Sequence, residues 1–302
     1  MQGMQGMDKG LIKRLSVICG AVALVVVLIT LLIVFFTRDS SGEESASSGM
    51  VIPEGMRLVE DIYNGEMIVP DFRIPDNTYD HQKFTDGEDG FRRYPGASVG
   101  IDVSEFQGEI DWYAVKAAGV DFAIIRLGYR GMTQGLLQDD SRFQENMLGA
   151  SNAGLKRGVY FFSQAVSEEE AKAEAEYVLE KLDGAELDYP VVFDWEDPVP
   201  SETLPADTLR ALDCPGATVT KCAAAFCQRI QKEGYTPCVY FNKNQAYHFY
   251  NLEELKDYDF WYAEYNALPS VCYGFQTWQY SDQGTVPGIG VTVDLDLCFE
   301  PY

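Results

Sequence analysis

Short apolar runs recur along the second two-thirds of the chain, and their spacing sets the architecture. They are VGIDV (99–103), FAIIRL (122–127), GVYFF (158–162), VVFDW (191–195), CVYF (238–241), FWYAEY (260–265), FQTWQY (275–280) and VTVDLDL (291–297). Each has strand length and is bounded by turn residues, which predicts eight strands. Between the first five the periodicity becomes helical. SEEEAKAEAEYVLEKL opens with Ser167 and Glu170 at capping-box spacing, then sets Ala171, Ala175, Val178, Leu179 and Leu182 on one face. DWYAVKAAG, SRFQENMLGASNAG and TVTKCAAAFCQRIQKEG behave alike, each closed by a glycine. Alternating strand and helix predicts parallel βαβ units, and eight strands predict closure. Beyond residue 260 the strands follow too closely for full helices. The expected fold is therefore an α/β, irregular β/α barrel whose last third has lost its helices.

Before the barrel the pattern differs. Residues 15–36, LSVICGAVALVVVLITLLIVFF, are 22 positions without a charge, enough helix to cross a hydrocarbon core of about 30 Å. A cleaved signal peptide would have a shorter apolar region with small residues close behind; here Thr37-Arg38-Asp39 follows. The run has no polar face, so it does not read as a core helix. Lys9, Lys13 and Arg14 precede it and Arg38 alone follows closely, which predicts a single-pass membrane protein with its N-terminus inside. Residues 1–14 become a cytoplasmic tail, 15–36 a transmembrane helix embedded in the lipid bilayer, and 37–97 an extracytoplasmic linker, part of which could lie along the domain that follows. SSGEESASSG within that linker is polar and flexible. The domain is assigned to 98–302.

Charge narrows the partners. Residues 98–302 carry 33 acidic and 14 basic side chains, a formal charge of −19. Nucleic acid and anionic membrane surfaces both need a basic footprint, so neither fits. Six cysteines follow the apolar run and could pair or stay free; none forms a C-x-x-C. With only His81 and His248, His-rich metal sites and most hydrolytic triads lack their parts. No metal or cofactor is expected.

The chemistry concentrates at VVFDWEDP (191–198), where a buried strand ends in two carboxylates one residue apart, Asp194 and Glu196. A strand's period of two points both to one side and sends Trp195 to the other, against a helix. Asp102 closes the first strand, and Asp294 lies in the eighth, next to the first if the barrel closes. Most paired acids at a strand end simply reach water. Four carboxylates from three strands at one mouth would repel one another, an arrangement that stability does not favour and chemistry can use. Two carboxylates flanking a bond suit glycoside hydrolysis, one protonating the leaving oxygen while the other stabilises or attacks the developing oxocarbenium centre. Neighbouring negative charge keeps one acid protonated, and Glu196 is the better donor.

The blocks GIDVSEFQGEIDW, VVFDWED and WQYSDQGTVPGIGVTVDLDL resemble the signatures of glycoside hydrolase family 25, the lysozyme-like N-acetylmuramidases. The resemblance spans about Ser98 to the C-terminus. It implies a shortened barrel of eight strands and five helices and cleavage of the β-1,4 bond between N-acetylmuramic acid and N-acetylglucosamine in peptidoglycan glycan strands. It implies Glu196 as catalytic acid and Asp194 as the group that assists, with Asp102 and Asp294 completing the cleft. Candidate substrate contacts are Tyr160, Tyr129, Arg126, Trp261, Tyr265 and Trp278, with Tyr160 and Tyr129 preferred. Two departures stand out: Tyr160-Phe161-Phe162 where many members have Tyr-His-Phe, and Arg126 followed by GYRG where others often carry Lys and a Glu-containing loop. The wall-binding repeats common in the family are not visible. A chitinase-like family 18 enzyme would require acids at 189 and 192, where this chain has Tyr189 and Val192. A non-catalytic glycan-binding scaffold on the same fold is the reading from another class.

Overall fold

The computed structural model describes residues 51–302; the apolar run at 15–36 lies outside them. Among the described residues no helix is long and apolar enough to cross a membrane. Two small hairpins come first, β1 (Met56–Asp61) with β2 (Gly65–Pro70), and β3 (Thr85–Asp86) with β4 (Arg92–Arg93). There follow β5 (Ser98–Val103), α1 (Trp112–Ala117), β6 (Phe122–Arg130), β7 (Leu137–Asp139), α2 (Phe143–Asn152), β8 (Lys156–Ser163), α3 (Glu168–Leu182) and β9 (Val191–Trp195). The chain then runs through α4 (Gly216–Lys232), β10 (Pro237–Asn242), α5 (Lys243–His248), β11 (Asp259–Ala263), β12 (Thr277–Gly284) and β13 (Val293–Cys298).

Eight strands close into a barrel in the order β5-β6-β8-β9-β10-β11-β12-β13, with β13 returning to β5; β7 adds an antiparallel ribbon to β6. From β5 to β12 every barrel neighbour is parallel. The last strand is not: β13 runs antiparallel to both β12 and β5. Each strand's alternation serves two cores. Ile101, Ile125, Val159, Phe193 and Phe241 face outward into the main apolar layer, while Phe122, Ile124, Val192, Tyr240 and Trp261 fill the barrel. At α3 the predicted capping box is half formed. Ser167 Oγ accepts from Glu170 N at 3.3 Å, but the Glu170 carboxylate turns to Val166 N and to Arg210 instead of returning to the cap.

Residues 51–97, within the segment read as a linker, lie along the barrel. From β11 onward no long helix backs the sheet, and this segment covers the gap. Phe84 meets the Trp278 ring edge-on at 5.5 Å, and Tyr79 stacks on Phe299 at 3.9 Å and packs against Phe275 at 5.2 Å. Backbone bonds fix it in place, Gly274 N to Pro75 O at 2.7 Å and Asn77 N to Cys272 O at 2.9 Å. Asp61 on the first hairpin pairs with Lys243 at the start of α5. Val69 and Phe91 join the main core. All six cysteines among the described residues are free thiols, and five are buried.

Candidate active site

Strand β9 carries its acids as the period of two requires. Trp195 turns outward, stacks on Phe249 at 5.2 Å and donates from Nε1 to Ala165 O at 3.1 Å. Gln164 Nε2 and Gln245 Nε2 hold the strand end, donating to the carbonyls of Glu196 and Trp195. Asp194 and Glu196 therefore share the inner side. Asp102 reaches the same mouth from the C-terminal end of β5. Asp294 arrives because β13 is reversed: its N-terminal end lies at the rim, with Asp294 directly opposite Asp102 in the ladder. In a parallel eighth strand that position would fall at the barrel's other end.

The four acids line one cavity of about 230 Å³ together with Tyr160, Tyr240, Trp261, Tyr265, Gln279 and Arg126. The cavity is tightly wired. Tyr240 and Tyr265 hydroxyls donate to Gln279 Oε1 at 3.1 and 2.9 Å, and Gln279 Nε2 donates to Asp102 Oδ2 at 2.7 Å. Trp261 meets Tyr160 edge-on at 6.1 Å. Burial raises all four carboxyls. Asp194 is raised further by Glu196, with Arg126 opposing, and Asp102 by Asp294 and Asp296, with the Gln279 hydrogen bond opposing. Glu196 is raised by burial and then by Asp197, and Asp294 is pushed up to about 6 by burial, Asp282 and Glu196. A site that holds protons on carboxyls is suited to general acid chemistry.

Arg126 sits at the junction with a second cavity of about 410 Å³, whose wall includes Tyr129, Arg130, Met132 and Leu204. Arg126 Nε donates to buried Asp140 at 2.8 Å and its Nη2 to Glu105 at 3.2 Å, while its guanidinium lies over Phe106 and Tyr129. Tyr129 thus lines the neighbouring cavity, not the one that holds the acids. Trp278 lines neither and is a correction. Gln279 takes the inward position on β12, so Trp278 points outward, wholly buried under Phe84, with Nε1 bonded to Glu264 O. Phe161 likewise faces outward, against Tyr177 of α3, so the residue between Tyr160 and Phe162 is turned away from the acids. His81 and His248 lie outside the cavity wall. Among the described residues no group of three His, Cys, Asp or Glu side chains is placed to hold a metal ion.

Asp296, Gln279 and Tyr240 were missed from sequence. DLDL held the signal for Asp296: the alternation that turns Asp294 inward turns Asp296 inward too. Gln279 and Tyr240 looked like ordinary strand residues.

The description "Glycosyl hydrolases family 25" matches residues 101–289. The chain belongs to that family. Among curated relatives it is 33% identical over 201 residues to the autolytic lysozyme of Clostridium acetobutylicum, covering 65% of this chain and 54% of that one. Lysozyme M1 of Streptomyces globisporus is 32% identical over 211 residues, covering 65% of each. The chain thus spans about half the length of the first and less than two thirds of the second. Among solved structures, the modular autolysin LytC of Streptococcus pneumoniae superposes with a TM-score of 0.58 at 22% identity, covering 82% of this chain and 57% of that one. A bacterial lysozyme from Streptomyces coelicolor superposes with a TM-score of 0.50 at 26% identity, covering 66% and 90%. A further LytC structure holds a synthetic peptidoglycan ligand.

Proposed function

We propose that this family 25 chain is a muramidase, hydrolysing the β-1,4 bond between N-acetylmuramic acid and N-acetylglucosamine in peptidoglycan. The observation that carries the reading is the convergence of Asp194 and Glu196 with Asp102 and Asp294 on one aromatic-lined cavity. The lysozymes among its relatives support the choice of substrate. Glu196, its carboxyl raised by burial and by Asp197, delivers its proton to the glycosidic oxygen as the bond breaks. Asp194, one pleat deeper and with Oδ1 free of any donor among the described residues, stabilises the positive charge that grows at the anomeric carbon or orients the substrate's N-acetyl group towards it. Asp102 and Asp294 add negative potential across the cavity. Tyr160, Trp261 and Tyr265 supply the apolar faces on which a sugar ring rests.

Glu196→Gln removes the transferable proton and almost no volume. Turnover of purified peptidoglycan should fall by about 10²–10⁴-fold, the worth of a positioned general acid, while sedimentation with the polymer is retained. Near wild-type turnover would overturn the assignment. A non-catalytic scaffold would bind without any new reducing ends.

The same proposal includes the membrane. The uncharged run 15–36 and the basic residues before it support a single-pass anchor in a bacterial cell membrane with the catalytic domain outside. Mass spectrometry of the mature protein should find its N-terminus ahead of residue 15; a mature N-terminus beyond residue 37 would refute the anchor.

A further inference from the structure

The loop 264–276 joins β11 to β12, and Tyr265 near its start lines the cavity that holds the acids. Its first residue is fixed by the barrel. Glu264 N donates to Gln279 O at 3.1 Å and Glu264 O accepts from Trp278 Nε1 at 2.9 Å, both on β12. From there the Tyr265 hydroxyl reaches Gln279 Oε1 at 2.9 Å, and Gln279 Nε2 donates to Asp102 Oδ2 at 2.7 Å. The four residues after Tyr265 are held differently. Among the described residues, every hydrogen bond to the backbone of 266–269 comes from the segment 51–97 and none from the barrel.

Arg92 Nη1 donates to Asn266 O at 3.4 Å and to Ala267 O. The Tyr63 hydroxyl donates to Leu268 O at 3.1 Å and accepts from Leu268 N at 2.8 Å. His81 Nε2 donates to Pro269 O at 3.1 Å. The two main anchors are themselves fixed. Arg92 Nε pairs with Asp86 at 3.0 Å, and its guanidinium lies over Trp278 and Tyr280. Tyr63 stands in the turn of the first hairpin, where Asp61 accepts from Tyr63 N at 2.9 Å and pairs with Lys243. Lys243 donates in turn to Ser270 Oγ at 2.7 Å, closing the frame behind the loop. Tyr265, Asn266 and Ala267 are exposed, so packing does not substitute for these bonds. An exposed stretch freed of its hydrogen bonds opens readily, and Tyr265 is the residue directly before it.

We propose that Arg92 and Tyr63 are positioning residues for the hydrolysis. By holding 266–269 they keep the Tyr265 ring at the cavity and its hydroxyl on Gln279, which orients the Asp102 carboxylate. The proposal rests on the glycosidase reading of the cavity above. Neither residue lines that cavity, so both act through Tyr265. Both also lie ahead of the stretch that matches the family, which begins at residue 101. The segment leading into the barrel thus helps to set its active site.

Tyr63→Phe in the full chain removes one hydroxyl and leaves the ring in place. Its kcat/KM on purified peptidoglycan should fall by about 10-fold with the thermal transition unmoved, as expected when a distant change misplaces a group at the reacting centre. Arg92→Ala should be impaired at least as much. Arg92→Lys keeps one donor and a stem over Trp278, and should recover part of that loss. A double-mutant cycle tests the route. In a Tyr265→Ala chain, adding Tyr63→Phe should cost nothing more, because residues that act through one another are not additive. A second readout needs no substrate. Followed by NMR, the Gln279 side-chain amide protons should exchange with solvent several-fold faster in Tyr63→Phe than in the wild type. An unchanged kcat/KM in Tyr63→Phe, an additive cycle, or Gln279 protons exchanging at the wild-type rate would overturn the proposal. A wild type that leaves peptidoglycan uncut sinks the muramidase reading instead, and the exchange rates still decide this one.

Discussion

The barrel has two arcs built by different means. From β5 to β10 the sheet is backed by helices laid down between strands, the longest of them α3 and α4, and α4 alone buries eight of its residues against the strands and its neighbours. From β11 to β13 the strands come in close succession, and the outer layer is supplied from earlier in the chain by residues 51–97. Both arcs bury aromatic residues on their outer faces, Trp195 in one and Trp278 in the other, and both are fully covered. They differ in where the cover comes from. In the helix-backed arc each strand is followed by its own lid. In the helix-poor arc the cover is brought in from a segment of chain that also pins the rim: Arg92 lies over Trp278 and Tyr280, and Tyr63 accepts from Leu268 N at 2.8 Å beside the loop that carries Tyr265. The family match begins only at residue 101. The lesson is that the packed domain of this chain extends further towards the N-terminus than its family signature does.

If that is right, removing residues 51–97 is the most damaging change. It would uncover buried Trp278 and Phe275 together with half-buried Phe299, each fully buried aromatic being worth about 1.5–3 kcal/mol, against a total stability of about 5–15 kcal/mol for a domain. A chain beginning at residue 98 should lose its cooperative thermal transition. If calorimetry found it as stable as the longer chain, residues 51–97 would be a tether after all.

A smaller effect tests the chemistry of the helix-poor arc. Asp294 is the mouth acid that arc contributes, and burial, Asp282 and Glu196 push it from 3.8 to about 6. The folded state thus binds this proton more tightly than the unfolded chain. Its penalty is absent below about pH 4, grows as pH rises and is complete above about pH 6. Asp294→Asn should therefore be more stable than wild type by about 3 kcal/mol above that window and equal to it at the acid end. Chemical denaturation across the window reads the difference directly. A variant less stable at neutral pH would mean that Asp294 is held by favourable contacts and not strained for function.

The helix-backed arc was legible because its information is local. VVFDWED states strand, burial and the direction of both acids in seven residues, and SEEEAKAEAEYVLEKL states its helix and inner face. The helix-poor arc was not, because its partners are distant: nothing near Phe84 or Tyr79 announces a ring that waits two hundred residues on. Trp278 was misplaced for the same reason. Without Gln279 recognised as the inward residue of β12, the aromatic beside it looked like a sugar platform. The reversal of β13 was likewise invisible, since alternation fixes which side Asp294 faces but not which way its strand runs.

The central claim is that the cavity shared by both arcs cleaves a glycan with Glu196 as proton donor. The most direct measurement is to digest purified peptidoglycan with the full chain, reduce the new ends with borohydride, and identify the reduced sugar by mass spectrometry. The account predicts reduced N-acetylmuramic acid from the wild type and none above background from Glu196→Gln. Reduced N-acetylglucosamine, no new ends from the wild type, or equal yields from both chains would contradict it.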